Sequence, residues 1–109
     1  MRQVTEFMPD IDLNDVIKAL GNPVRRKILH MLKEPKIHFH QPYADADEFG
    51  VCVSIIQEKV GLSQSTVSLY LSALQRAQLV TSQRIGPWTY YKRDNDKIRA
   101  VLELLKNTI

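Results

Sequence analysis

A chain of 109 residues, 44% of them hydrophobic and with few Gly and Pro, has the size and composition of one folded domain, which excludes collagen-like and disordered readings. No apolar run approaches the roughly 18 residues of a membrane span, the start Met1-Arg2-Gln3-Val4-Thr5-Glu6 lacks the apolar stretch of a signal peptide, and the single Cys52 excludes an internal disulfide and suits a reducing cytoplasm. The formal net charge is only +3 but lopsided: no Asp or Glu stands between Glu58 and Asp94, a gap that holds Lys59, Arg76, Arg84, Lys92 and Arg93.

Residues 1–10 read as an arm that ends near Pro9. Asp12 is placed to cap a first helix over about residues 13–20, with Leu13, Val16, Ile17 and Leu20 as its apolar stripe and Gly21 at its end. Asn22-Pro23 restarts the chain: an N-cap followed by Pro at the first helical position predicts a second helix over roughly 23–34, with Val24, Ile28, Leu29 and Leu32 inward. Pro35 stops it. Residues 35–50 hold two prolines, an aromatic pair and the acids Asp45, Asp47 and Glu48, and are expected as a long loop with at most one short strand.

A third helix is predicted over about 51–60, with Gly61 at its C′ position. Ser63 caps a fourth over roughly 64–78. Residues 79–85 and 88–93, rich in Thr, Val, Ile, Trp and Tyr, read as a β-hairpin turning at Gly86-Pro87. A last helix opens at Asp94 or Asn95. Ile98, Val101, Leu102, Leu105 and Ile109 form its stripe, widened by Leu104. The whole chain is expected to be one mainly α domain with a small hairpin at 79–93.

The fourth helix is unusually polar. At about 100° per residue, Val67, Leu71 and Leu74 share one arc, with Tyr70 and Ala77 beside it. Ser65, Ser72 and Arg76 fall opposite, flanked by Ser68 and Leu69. Small hydroxylated side chains let a helix backbone approach a groove closely and reach phosphate or base edges, and Gln64 can bond adenine. Leu69 is awkward in water but suits a thymine methyl; an ordinary solvent-facing helix with one stray Leu is the plainer reading. The positive stretch would attract a polyanion, or merely keep the surface soluble.

The third helix, the turn Gly61-Leu62-Ser63 and the fourth helix make a helix-turn-helix, and the hairpin with Arg84 before its tip and Lys92-Arg93 after it makes a basic wing. The usual employment of that arrangement is duplex DNA binding. The stretches "LGNPVRRKILHMLKE", "GLSQSTVSLYLSALQRAQLV" and "RIGPWTYYKRD" resemble the ArsR family of bacterial winged-helix repressors, over about residues 13–108. The resemblance implies a homodimeric repressor whose matching helix enters the major groove of operator DNA. Gln64, Ser65, Thr66, Ser68 and Tyr70 become candidate DNA contacts, joined by Leu69, Ser72, Arg76, Arg84 and Lys92 from the face and the wing. Tyr70 stands where the family commonly has His. The first and last helices are expected to pair across a two-fold axis, burying apolar face beyond what one small core needs.

ArsR-like sensors often carry a metal box reading Glu-Leu-Cys-Val-Cys-Asp in the third helix. Aligned on Gly61-Leu62-Ser63, this chain reads Phe49-Gly50-Val51-Cys52-Val53-Ser54-Ile55. One thiolate cannot make a soft site that needs two or three, and no His follows His40, so no metal or other cofactor is expected. Two other switches stay open. His38 and His40, with Asp45, Asp47, Glu48 and Cys52, are weak candidates for a zinc or nickel site. Cys52 alone is a possible thiol sensor near a helix start, although a small buried Cys is commoner there. A small organic effector, a partner protein or no effector at all remain. An enzyme is not expected, for want of a nucleophile–base–acid constellation, a Gly-rich phosphate loop or a dinucleotide fingerprint. The rival reading is a winged-helix module that docks on an acidic protein partner.

Overall fold

The computed structural model describes residues 11–109, so the expected arm at 1–10 lies outside the described residues. The chain begins with α1 (Leu13–Leu20) and α2 (Pro23–Met31), both started as their caps dictate. The Asp12 carboxylate accepts from the backbone N–H of Asn14 at 2.9 Å and of Asp15 at 3.4 Å. The Asn22 side-chain oxygen accepts from Val24 at 2.9 Å and Arg25 at 3.0 Å, ahead of Pro23 whose missing N–H is no loss there.

Residues 35–50 depart from the expected loop. They contain α3 (Pro35–His38) and α4 (Ala46–Phe49), four residues each. Pro35 therefore opens a helix as well as following one, and Asp45 caps α4 by accepting from Asp47 N at 3.3 Å. Turns this short carry no repeat of the apolar pattern, so periodicity cannot register them. The Lys36 ammonium binds the carboxylates of Asp45 at 2.8 Å and Asp47 at 3.5 Å and ties the two short helices together.

Val51 and Cys52 are the second departure. They form a strand, β1 (Val51–Cys52), and the third predicted helix starts after them as α5 (Val53–Val60). Gly61 follows in the left-handed conformation at φ 73, then α6 (Gln64–Arg76), two residues shorter than predicted. The hairpin is β2 (Val80–Ile85) and β3 (Trp88–Arg93), and α7 (Asn95–Thr108) closes the chain behind its Asp94 cap. The sheet runs β1-β3-β2, antiparallel throughout, with Val51 opposite Tyr91 and Cys52 opposite Tyr90. The wing is thus the outer part of a three-stranded sheet and not a free hairpin.

One core unites these elements: Val16 and Ala19 of α1, Ile28 and Leu29 of α2, Ile56 of α5, Val67, Leu71 and Leu74 of α6, Val80 of β2, and Ile98 and Val101 of α7. No helix among the described residues is long and apolar enough to cross a membrane.

Candidate nucleic-acid interface

The site begins with a sorting of side chains on α6. Val67, Leu71 and Leu74 are fully buried, so the helix is fixed from behind by aliphatics. Gln64, Ser65, Leu69, Ser72 and Arg76 stand in solvent, and Thr66, Ser68 and Tyr70 are half-buried. Leu69 is 70% exposed, so the fold makes no use of it. The polar arc read from the sequence is therefore the outward face.

Its N-terminus is built by hydroxyls. The Ser63 Oγ accepts from Thr66 N at 3.2 Å and donates to Thr66 Oγ1 at 2.9 Å, with the Ser65 Oγ 3.2 Å away. Ser63 is thus an N-cap, and the positive end of α6 points outward where an anion can approach.

Tyr70 is engaged inside the protein. Its hydroxyl accepts from Asn22 Nδ2 at 3.5 Å, and the Arg25 guanidinium lies over its ring at 5.3 Å. Arg25 in turn donates to the carbonyls of Ala19 at 2.8 Å and Lys18 at 2.7 Å. Tyr70 therefore ties α6 to the α1–α2 corner, a role that the sequence pattern did not disclose.

The wing presents two different faces. Residues opposite each other in the register share a face, so Arg84 and Thr89 lie with Ser82 and Tyr91, and Ile85 and Trp88 lie with Gln83 and Tyr90. The first face looks to α6, where Gln75 Nε2 donates to Ser82 Oγ at 3.0 Å. The second is bonded to the end of α4: Gln83 Nε2 donates to the Phe49 carbonyl at 3.1 Å and Lys92 Nζ to the Glu48 carbonyl at 3.2 Å. Arg84 is near the tip on the α6 side, as a phosphate contact would require. Lys92 is at the base of the hairpin on the far side. Arg93 turns inward, its guanidinium donating to the Leu29 carbonyl at 3.1 Å and to Asn95 Oδ1 at 2.9 Å, and burial lowers its pKa.

The switch candidates separate. Cys52 is completely buried, with Sγ 3.4 Å from Ser54 Oγ. Gln41, which sequence reading passed over, holds its backbone: Oε1 accepts from Cys52 N at 2.8 Å, and Nε2 donates to the carbonyls of Gly50 and Ala44 at 3.0 Å each. Burial, and then the neighbouring Cys52 thiol, push the Tyr43 phenol up. His38 faces His30, with ring centres 6.0 Å apart. Among the described residues no three His, Cys, Asp or Glu side chains come together as metal ligands, so His38, His40, Asp45, Asp47, Glu48 and Cys52 do not form the site considered above.

The chain is similar in sequence and fold to known proteins. The chain is 47% identical over 97 residues to the HTH-type transcriptional regulator YbzH of Bacillus subtilis, a match covering 87% of this chain and 96% of that one. It is 40% identical over 77 residues to ArsR2 of Halobacterium salinarum, named as an arsenical resistance operon repressor, across 71% of this chain and 55% of that one. The chain belongs to the ArsR family of helix-turn-helix transcriptional regulators. Among solved structures, the homodimeric winged helix-turn-helix DNA-binding domain of Mb0332 from Mycobacterium bovis superposes with a TM-score of 0.61 at 26% identity, over 85% of this chain and 74% of that one. No family model matches the chain.

Proposed function

We propose that the chain is a repressor that binds duplex operator DNA as a homodimer, with α6 in the major groove and the wing beside it. The observation that carries this is the outward face of α6: exposed Gln64, Ser65, Leu69, Ser72 and Arg76, no acid among them, flanked by a wing that Gln75 and Ser82 hold in place. Ser65, Ser68 and Ser72 are small enough for close approach, Gln64 reads a base edge, Leu69 meets a thymine methyl, and Arg76 and Arg84 take phosphates. Thr66 contributes through its place at the positive end of the helix. Tyr70 and Lys92, already bonded inside the protein, act by positioning α6 and the sheet.

The dimer is supported by apolar surface on the two terminal helices. Ile17 of α1 is 55% exposed and Leu102 of α7 60%, and Mb0332 is homodimeric. Two copies related by a two-fold axis would read half-sites about 34–36 Å apart. A regulator of this kind acts on DNA in the cytoplasm and needs no catalytic group or cofactor. Cys52 is completely buried, so a thiol-reactive effector would reach it only when the structure around it opens, which makes Cys52 a slow sensor at most.

The test is a mobility-shift assay on the DNA upstream of the chain's own gene, at several salt concentrations, with wild type, Ser68→Glu and Arg76→Glu. A salt-sensitive shift that both variants abolish is expected. Equal binding to duplex and single strands would instead favour a module for acidic protein partners. Repeating the assay with oxidant, aldehyde or divalent metal on Cys52→Ser tests the switch: a response that survives the substitution removes the thiol.

A further inference from the structure

The wing ends in an apolar pair for which the core has no use. Ile85 and Trp88 face one another across the tip, with only Gly86 and Pro87 between them. Ile85 is 41% exposed and Trp88 52%, and every residue from Thr81 to Trp88 stands in solvent. Gly86 makes the turn at φ 59, and a Cβ built there would meet nothing within 4 Å, so the turn itself is open to solvent. Single exposed aliphatics are common on protein surfaces. An isoleucine and an indole side by side at the tip of a hairpin that carries Arg84 and no acid are another matter.

The surroundings select the partner. No acid occurs from Lys59 to Arg93, and Arg84, just before Ile85, points to the α6 side while Ile85 and Trp88 lie together on the other face of the tip. A duplex seated on the outward face of α6 would present its phosphates, and then the adjoining minor groove, to this tip. We propose that Ile85 and Trp88 form an apolar wedge that enters the minor groove beside the major-groove site of α6 and opens it. The inference rests on the DNA-binding reading above and adds the part that deforms the DNA.

Dimensions mean that any entry of this tip into a minor groove must widen it. Paired strands lie about 4.8 Å apart, and the minor groove of B-form DNA is about 6 Å wide. The strand spacing separates backbone axes, so with its own atoms even a bare hairpin tip is wider than that slot, and an indole with an isoleucine beside it enters only where the walls part further. Apolar side chains pressed into a minor groove partly unstack a base step and bend the duplex toward the major groove. That bend would wrap the duplex around α6. The Arg84 Nε donates to the Gly86 carbonyl at 3.3 Å, which holds the guanidinium at the same tip, ready for a phosphate on the groove edge. Deformable pyrimidine–purine steps under the wing would then be preferred although no hydrogen bond reads them.

Trp88 is the only tryptophan in the chain, so its emission reports on the tip alone. On titration with a duplex from the upstream region, wild-type emission should fall and acrylamide should lose access to the indole. Ile85→Thr and Trp88→Thr keep strand-forming residues at the tip; each should retain the wild-type far-UV spectrum and urea midpoint, bind about tenfold more weakly, and bend the duplex less in circular-permutation gels. The wedge is overturned if wild type retards the duplex while emission and acrylamide quenching stay as in free protein, or if both variants bind and bend like wild type. A chain that retards no duplex even at low salt defeats the DNA-binding reading itself, a separate result visible in the gel before any fluorescence is read.

Discussion

Gly50 and Gln41 do more for the sheet than their neighbours in the sequence suggest. Gly50 sits at φ 94, and a Cβ there would lie 2.5 Å from the Tyr91 carbonyl oxygen on the paired strand. Gly50→Ala combines a clash with backbone strain, and should cost about 2 kcal/mol or more in a urea titration. Gln41→Leu leaves the buried Cys52 N–H without its partner, a loss of about 1–3 kcal/mol. The same variant should speed the reaction of Cys52 with a thiol reagent, because the backbone around the buried cysteine is held less firmly. The Lys36 contact sets an acid limb. Hydrogen bonding to Lys36 holds the Asp45 carboxyl below its ordinary 3.8, so the stability it contributes is present above that value and is lost as pH falls through the lowered one. Urea midpoints of Asp45→Asn should therefore vary less with pH below about 4 than those of wild type. Lys36 mirrors this at the alkaline end, since hydrogen bonding to Asp45 raises its pKa above 10.5: the benefit is full below 10.5 and is lost as pH rises through the raised value.

Helix α6 divides its work by face, and substitutions should divide accordingly. Leu71 is fully buried, so Leu71→Ala should cost about 2–5 kcal/mol of stability. Ser72→Ala and Leu69→Ser, on the exposed arc, should stay within about 0.5 kcal/mol of wild type by denaturation while lowering affinity in the mobility shift. This division was legible beforehand, because Val67, Leu71 and Leu74 repeat at helical spacing and polar residues fill the rest. The caps at Asp12, Asn22 and Ser63 were legible for a similar reason, each a short polar residue just ahead of an apolar pattern, while the last helix was open between Asp94 and Asn95 until the structure gave Asp94. What escaped was everything that depends on distant partners. Helices α3 and α4 are a single turn long, and β1 is a strand only because Tyr90 and Tyr91 lie alongside it. Val51 and Cys52 alone are as good a helix start as a strand. Lys92 and Arg93 look alike in sequence, but the register sends one to the α4 carbonyl end and the other to Leu29.

At the scale of the whole molecule, the charge gap and the two terminal helices carry the expectations. Arg76→Ala should lower the slope of log affinity against log salt by about one for each half-site, whereas a base-reading substitution such as Gln64→Ala should leave the slope alone. Ile17→Glu with Leu102→Glu should halve the sedimenting mass if those exposed residues meet a second copy, and operator affinity should fall with it. The two-residue strand β1 also limits how small a transplantable reading head can be. Strand β3 has β1 on one side and β2 on the other, and Gln83 and Lys92 are moored to carbonyls at Phe49 and Glu48. A graft that starts at α5 would carry both helices and the hairpin yet leave the inner edge of β3 bare and its moorings behind. Moving this head onto another scaffold therefore means taking the chain from Gln41 at least, and supplying a substitute for the cover that α1 and α2 give to Val67, Leu71 and Leu74.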